Sequence, residues 1–266
     1  FLFKLGITAA VVSFIVWKLG WQAIVHTVLE ADPRWLLGAV VVFFASGALG
    51  AVQWHVLLRN RGITQPFVRT FVLYFMGMFF NNFIFGMVAG DAVRVTYLRM
   101  GNQSARSGFA ATFLDRFAGF WAMSAFAVFG SVLLFARRGF SGELWHVVAF
   151  LAMMFLAFAG IMAVLVSRWV QGAVFRVIDA IPIAAAGKAR AVFEGMTLET
   201  RDRALVGRVA VLSAVVQFLR IVVHILCGVS LGLVSGDTIH YFFMFVPILA
   251  ITMIAPLPFG VREGIE

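Results

Sequence analysis

Long apolar runs, separated by short stretches that carry arginines, recur along the whole chain. Several of these runs approach the roughly 20 consecutive apolar residues that an α-helix needs to cross the hydrocarbon core of a bilayer. Apolar residues make up 62% of the sequence and charged residues only 12%, which excludes a soluble globular protein. We therefore predict an all-α polytopic membrane protein with a single transmembrane domain over residues 1–266.

The distribution of charge excludes further functional classes. The net charge of +9 has the sign required for nucleic-acid binding. The basic residues nevertheless cluster in short loops between apolar runs, as the positive-inside bias of membrane proteins predicts, so we expect no nucleic-acid partner. The single cysteine, Cys227, cannot form an internal disulfide or a thiolate metal cluster. No metal-ligand spacing, nucleophile motif or phosphate-binding glycine loop is present in the sequence, and we expect neither a cofactor nor enzymatic activity.

The apolar runs predict about six spanning helices plus one or two re-entrant broken segments. The runs that we assign to spanning helices cover about residues 5–19, 34–58, 107–135, 145–166, 207–234 and 240–255. Residues 21–30 have one apolar and one polar face at helical period, which is typical of a helix that lies on the membrane surface. Asp32 and Pro33 are predicted to provide the N-cap and the first turn of the second span.

The run of 67–89 has two interpretations: it crosses the membrane, or it dips in and returns to the side of entry. The arginine count favours the re-entrant interpretation, because cytoplasmic loops carry the excess of basic residues. The re-entrant interpretation places six arginines on the same face as a long basic loop of 168–208. Within this loop we predict a short interfacial helix. These arginines are Arg59, Arg61, Arg69, Arg94, Arg99 and Arg106.

Residues 81–94 interrupt an apolar stretch with two amides, two glycines and an opposite-charge pair. Irregular, charged chain is tolerated at membrane depth only where it is buried in protein or lines a water-filled cavity. This segment is therefore the first candidate for a functional site. Its polar side chains are those of Asn81, Asn82, Asp91 and Arg94.

A second broken segment, 256–264, carries two prolines and the opposite-charge pair Arg262 and Glu263. Two broken hydrophobic segments in the two halves of a membrane protein are typical of transporters built from internal repeats, with the substrate site where the halves meet. No residue-by-residue repeat connects the halves of this chain, so an architecture with two repeats and one without remain equally supported. Arg262 and Glu263 are candidates for a second edge of the site; the alternative is an ordinary loop.

Further predictions concern four charged residues at membrane depth, Asp91, Arg94, Asp115 and Arg116. Asp91 and Arg94 lie three residues apart and pair on one face if the chain turns helical after Gly90. The Gly90 turn and the following helix N-terminus would receive a phosphate, with Arg94 as the charged donor; the alternative is an ion pair that only fixes the hairpin. Asp115 and Arg116 are adjacent and point about 100° apart on a helix, so each is expected to pair elsewhere. Asp115 lies near the start of its span and is as consistent with an interfacial anchor as with a functional residue.

A polar stripe is predicted on the long span near the end of the chain. Gln217, Arg220 and His224 occupy positions i, i+3 and i+7, which share one face of a helix. Arg220 requires an acidic partner or a lipid phosphate, and Asp91 or Asp115 is the expected carboxylate. His224 is as consistent with a satisfied buried histidine as with a proton carrier.

Five motifs, in this order and spacing, resemble one known family. The chain is similar to the membrane domain of bacterial lysylphosphatidylglycerol synthases and their stand-alone, flippase-like relatives. The matching segments are Gln53-Trp54-His55-Val56-Leu57-Leu58, Phe80-Asn81-Asn82, Gly90-Asp91-Ala92-Val93-Arg94, Leu114-Asp115-Arg116 and Pro258-Phe259-Gly260-Val261-Arg262-Glu263-Gly264. The family usually has a proline and a paired glycine where this chain reads Phe85-Gly86-Met87-Val88-Ala89-Gly90.

The resemblance implies binding or movement of a lipid with a charged or glycosylated headgroup. The aminoacyl-transferring half of the synthases is a separate soluble domain without a counterpart here, so no lysyl transfer is assigned to this chain. The first hypothesis is a lipid translocator of the bacterial inner membrane, with the long basic loop in the cytoplasm. The second is a lipid-binding subunit or partner of a glycosyltransferase or other lipid-modifying enzyme, without transport. We also expect this sequence to be the ordered part of a longer protein.

Overall fold

Helices account for the architecture of the chain. The computed structural model describes residues 13–14, 16–18, 20–83, 87–138, 142–166, 168–180, 203–236 and 238–252. The α-helices are α1 (Trp21–Glu30), α2 (Pro33–Asn60), α3 (Phe67–Phe83), α4 (Met87–Met100), α5 (Ala105–Arg138), α6 (Gly142–Val166), α7 (Arg168–Ala180), α8 (Arg203–Ser230) and α9 (Phe242–Thr252), and a 3-10 turn at Ile239–Tyr241 precedes the last. The predicted all-α class is confirmed.

Four of these helices, α2, α5, α6 and α8, are long and apolar enough to cross a membrane. They correspond to the predicted spans at 34–58, 107–135, 145–166 and 207–234. Shorter apolar helices, α3 and α9, pack beside them, and Pro247 lies inside α9. Most of the predicted span at 5–19 falls outside the described residues. The chain is therefore a multi-pass membrane protein, as predicted.

Helices α2 and α8 pack against each other in opposite directions along most of their length. The Asp32 amide at the start of α2 donates to the carbonyl oxygen of Ser230 at the end of α8, at 2.9 Å. At the other end of the pair, Leu57 and Leu205 belong to the same buried cluster. The Asp32 side chain accepts a 2.9 Å hydrogen bond from the Arg34 amide, and Pro33 is the first helical residue, which confirms the predicted N-cap.

Helices α3 and α4 form a tight hairpin. A Cβ atom on Gly90 would overlap the carbonyl oxygen of Gly77, so the two backbones touch where the helices cross. A Cβ atom on Gly101 would likewise overlap the Arg69 guanidinium, so the start of α3 and the end of α4 lie together. The chain thus returns to the end of the bundle at which it entered, which is the path that the re-entrant interpretation predicts.

The break in this hairpin is shorter than the sequence predicts. Residues 81–83 still belong to α3, and α4 already begins at Met87, before Gly90. The chain is therefore helical on both sides of Gly90, and the condition for Asp91 and Arg94 to share one helical face is met. The polar side chains of this segment are instead carried on two regular helices of 17 and 14 residues, about 25 and 21 Å long at a rise of 1.5 Å per residue.

Five of the six arginines predicted on one face lie at one end of the bundle. Arg59, Arg61, Arg69, Arg99 and Arg106 occupy the last turns or first turns of α2 to α5 or the adjoining loop. Burial, and then the nearby charge of Arg106, lower the pKa of Arg61 to about 10. The sixth, Arg94, was predicted on this face wrongly: its side chain points into the core and is 1% exposed.

Candidate functional site

Arg94 lies at the centre of the hairpin, enclosed by aromatic rings. Its guanidinium carbon is 4.2 Å from the Tyr74 ring centroid and 5.3 Å from that of Trp54. Both rings belong to the main hydrophobic core, which joins α2 to α5 and α8. Gly77 of α3 makes room for the arginine, because a Cβ atom there would overlap the Arg94 side chain. Cation–π contacts of this kind gain strength when the cation is removed from water.

Asp115 of α5 is the second buried charge of the site, with 6% of its side chain exposed. Its Oδ2 lies 3.6 Å from Arg94 Nη1, and its Oδ1 accepts a 2.9 Å hydrogen bond from Gln53 Nε2. The other end of that amide, Gln53 Oε1, accepts a 2.9 Å hydrogen bond from Ser213 Oγ. One continuous polar chain therefore connects α8, α2, α5 and α4 through the apolar core.

Asp91 and Arg116 form the tightest ion pair of the site. Arg116 Nε and Nη2 each donate a 2.9 Å bond to a different oxygen of the Asp91 carboxylate, which is a two-pronged fork geometry. Both side chains remain about one-fifth exposed, at 22% and 23%. The expected i, i+3 contact of Asp91 with Arg94 is present but longer, at 3.8 Å. Asp115 and Arg116 thus pair with different residues, as their adjacency predicts.

The Arg94 guanidinium is only partly satisfied. Its two carboxylate contacts, at 3.6 and 3.8 Å, are longer than hydrogen bonds. Within the part of the chain that the structure describes, the buried Nε and Nη1 atoms have no hydrogen-bond partner. A buried donor without a partner costs about 1–3 kcal/mol, so Arg94 is held mainly by charge and by its aromatic neighbours.

The predicted stripe on α8 is only partly drawn into this network. Gln217 is buried against Gly119 of α5, one turn beyond the ion pairs. Arg220 Nη1 donates to Gln217 Oε1 at 3.4 Å and interacts electrostatically with Asp115. No described carboxylate lies within ion-pair distance of Arg220, so the expected acidic partner is not found among the described residues. His224 is exposed, and its Nδ1 lies 2.8 Å from the Arg220 carbonyl oxygen.

We call the whole group the polar belt. It comprises Gln53, Asp91, Arg94, Asp115, Arg116, Ser213, Gln217 and Arg220. Among these described residues three arginines face two aspartates, so the belt carries one more cation than anions. Charges at membrane depth are generally paired with one another or with a bound ion, because hydrocarbon solvates ions poorly.

Of the remaining predicted site residues, Asn81 makes a structural hydrogen bond, and the side chains of the others lie outside the described residues. Asn81 Oδ1 accepts a 2.8 Å hydrogen bond from the Gly90 amide in the first turn of α4. This bond satisfies a helix-start donor that was expected to be open to a phosphate. Asn82 ends up on α3, but its side chain lies outside the described residues. Arg262, Glu263 and the interfacial helix expected within 181–202 also lie outside them.

Sequence reasoning missed the contacts that three residues make in and around the belt: Gln53, Trp54 and Ser213. Gln53 and Trp54 appeared only as part of a family motif, yet Gln53 bridges two helices and the Trp54 ring covers Arg94. Ser213 gave no signal, because one serine in a long apolar helix usually bonds its own backbone. A glutamine in the middle of a predicted span was the one available hint, since buried amides need partners.

An apolar cavity of about 40 Å³ lies next to the belt, between α2, α5, α6 and α8. Leu114, which precedes Asp115 along α5, forms part of its wall, together with Leu57 and Leu205. This cavity is too small for a lipid headgroup. The polar belt is therefore the candidate binding site in this region.

The comparisons with known proteins agree with this architecture. The family model described as the lysylphosphatidylglycerol synthase TM region matches residues 1–264. The chain belongs to this family. In this member of the lysylphosphatidylglycerol synthase TM family, three of the five motifs that carried the resemblance contribute residues to the polar belt: Gln53, Asp91 with Arg94, and Asp115 with Arg116.

One curated relative matches part of this family member. A UPF0104 membrane protein of Pyrococcus horikoshii is 30% identical over 115 residues, which are 42% of this chain. The chain spans about a third of that relative, since the match covers 34% of its length. No solved structure shows significant similarity to the chain. These matches support a role connected with membrane lipids.

Proposed function

We propose that this protein is a lipid translocator of the inner membrane, and that the polar belt takes the phosphate-bearing headgroup of its lipid. One observation carries the proposal: a membrane domain holds a connected belt of charges on four helices, with one cation more than anions among the described residues. A phosphate supplies the missing negative charge and several acceptor oxygens. The lipid tails stay in the bilayer while the headgroup crosses.

The arginines have different roles in this proposal. Arg94 is too deeply buried to touch a headgroup and holds α4 against α5 through Asp115. Arg116 and Arg220 are the residues that reach an incoming phosphate, because both side chains are partly exposed. Gln217 lies beside Arg220 and adds an amide to the same surface. The protein supplies solvation that replaces headgroup water, and we propose no covalent chemistry on the lipid.

We place the arginine-rich end of the bundle in the cytoplasm, following the positive-inside bias. The two ends of the basic loop of 168–208 are consistent with this placement. Leu205 at the start of α8 and Met162 near the end of α6 line the same cavity as Leu57, three residues from the end of α2. The basic loop therefore starts and ends near the other arginines.

Movement of labelled lipids in proteoliposomes tests the proposal. The probes are tail-labelled phosphatidylglycerol and, as a headgroup control without a phosphate, tail-labelled monoglucosyl diacylglycerol, with dithionite bleaching as the readout. We expect faster exchange of phosphatidylglycerol with the protein than in empty liposomes, and a loss of roughly tenfold with Arg220→Gln. Arg99→Gln is the matched control, because Arg99 is an exposed arginine at the basic end.

Equal rates for both lipids, or an Arg220→Gln variant as fast as the original protein, would contradict the proposal. Binding of phosphatidylglycerol without movement would favour the second hypothesis, a lipid-binding partner of a lipid-modifying enzyme. In that case the exposed face of α7, which carries Arg176, is the first surface to test for enzyme association.

A further inference from the structure

The outer and inner ion pairs of the polar belt differ in how well they are satisfied. Arg116, at the exposed edge, has both prongs of its fork filled by Asp91 at 2.9 Å. Arg94, in the interior, has two buried nitrogen atoms without a hydrogen-bond partner among the described residues. Arg116, which an incoming ligand can reach, is therefore already bonded to Asp91. Arg94, which a ligand cannot reach, has hydrogen-bond donors that are not used by the described residues.

A phosphate that approaches the exposed edge meets a competitor. The Asp91 carboxylate occupies the donors of Arg116 that a phosphate would use, and two anions on one guanidinium repel each other. Asp91 has a second cation within reach, because its Oδ1 is 3.8 Å from Arg94 Nη1. A shift of about 1 Å brings these atoms to hydrogen-bond distance and fills one of the open donors of Arg94.

We propose that Asp91 is a displaceable counter-ion: a headgroup phosphate removes it from Arg116, and Arg94 then accepts it. This inference rests on the proposed function and deepens it by naming a residue that determines specificity. A ligand without an anion cannot release Asp91, so headgroups that lack a phosphate or another anionic group leave the pair closed. The same carboxylate returns to Arg116 after the lipid departs, which favours release.

The hairpin geometry suits this exchange. Asp91 and Arg94 lie on one face of α4, and Arg116 faces them from α5. Asp115 stays fixed by Gln53 while Asp91 changes partner, so the interior retains a carboxylate at all times. The exchange therefore moves one side chain and leaves the helix contacts in place.

Binding to the purified full chain in detergent tests the exchange. The probe is dioctanoyl phosphatidylglycerol, with dioctanoylglycerol, which has no phosphate, as the headgroup control and inorganic phosphate as the test for a free anion. We expect Asp91→Asn to bind phosphatidylglycerol roughly tenfold more tightly than the original protein, because the competing charge is gone. Arg116→Gln should lose binding. Asp91→Glu, which keeps the competing charge, should not gain affinity.

The outcomes separate the two proposals. If the original protein binds phosphatidylglycerol and Asp91→Asn binds it more weakly, Asp91 merely positions Arg116, and the exchange is wrong while the proposed function stands. If the original protein binds no phosphatidylglycerol, both are wrong. Inorganic phosphate that binds as tightly as the lipid, and tighter still to Asp91→Asn, would support the exchange and assign it to a free anion.

Protein stability is checked by thermal unfolding for every variant. If Asp91→Asn does not fold, Asp91→Ser takes its place, since serine is smaller, uncharged and able to donate or accept a hydrogen bond. The same gain in affinity is expected from it. A loss of affinity in a folded Asp91→Ser protein overturns the exchange.

Discussion

The charges on α4 and α5 and the stripe on α8 lie side by side in the bundle, yet they are organised in opposite ways. On α4 and α5, two arginines and two aspartates neutralise one another within 4 Å. On α8, Arg220 has an amide and a more distant carboxylate, and no described acid in ion-pair contact. The charges on α4 and α5 are thus paired with one another, whereas Arg220 on α8 is available to bind an anion.

This difference separates a structural role from a binding role. A buried charge that loses its partner is strongly destabilising, so the buried Arg94–Asp115 pair is expected to control whether the hairpin stays docked, whereas Arg116 lies at the exposed edge. A partly exposed cation without a carboxylate contributes little to folding and remains free to bind an anion. Mutations in the two regions should therefore affect stability and lipid movement in different proportions.

The largest effect is expected from Arg94→Ala. It leaves Asp115 buried with its Gln53 bond but without its cation, and we expect a loss of about 3–5 kcal/mol in the free energy of unfolding. Thermal unfolding in detergent measures it. The double variant Arg94→Leu with Asp115→Leu should lose less than Arg94→Ala. A loss below about 1 kcal/mol for Arg94→Ala would remove the structural role from this pair.

The second-largest loss of stability is expected from a substitution at the point where α3 and α4 cross. Gly90→Ala places a methyl group on the Gly77 carbonyl oxygen, and we expect a loss of about 1–3 kcal/mol. Gly160→Ala on α6 is the matched control, because a Cβ atom there meets nothing within 4 Å. It should stabilise the helix by about 0.5–1 kcal/mol. Equal responses of the two variants would show that α3 and α4 do not touch at Gly90.

A smaller effect is expected from Ser213→Ala. The variant leaves Gln53 Oε1 buried without its donor, while the opposite end of the amide keeps its bond to Asp115. We expect a loss of about 1 kcal/mol, the lower end of the range for a buried acceptor without a partner. Chemical denaturation of the two proteins at the same detergent concentration measures the difference. An unchanged stability would mean that Gln53 bonds elsewhere.

The smallest effect on stability is expected from Arg220→Gln. Arg220 is partly exposed and has no described ion pair, so the free energy of unfolding should change by less than about 1 kcal/mol. Its lipid movement should nevertheless fall, as proposed above. Comparison with Arg94→Ala in the same thermal assay then shows whether the two regions differ. Similar losses of stability in both variants would erase the distinction between them.

Much of the fold could be predicted because it depends on local patterns. Apolar length identified the four long helices, Asp32 and Pro33 marked the start of α2, and the arginine distribution favoured the returning hairpin. The extent of the break at 81–94 was overestimated. Amides and glycines were taken as irregular chain, whereas Gly77 and Gly90 let two regular helices touch and Asn81 supplies a hydrogen bond between them.

The sequence predicted which charged residues belong to the site, but not which of them form the closest ion pair. Asp91, Arg94, Asp115 and Arg116 do come together. The closest pair, however, joins residues 25 positions apart on different helices, which only the register between α4 and α5 determines. Helical spacing pointed to Asp91 and Arg94 instead, because i, i+3 contacts are all that a sequence pattern can report. The aromatic rings around Arg94 could not be predicted either, because Trp54 and Tyr74 come from two other helices.

Chemical restoration of the charge at position 220 tests most directly whether the α8 cation is a ligand site. Arg220→Cys, combined with Cys227→Ser to remove the native thiol, is reconstituted and treated with either a cationic aminoethyl or a neutral methyl thiosulfonate reagent. We expect phosphatidylglycerol movement to be lost in the variant and restored by the cationic reagent alone. Equal movement after both reagents, or full movement without either, would contradict a binding role for this charge.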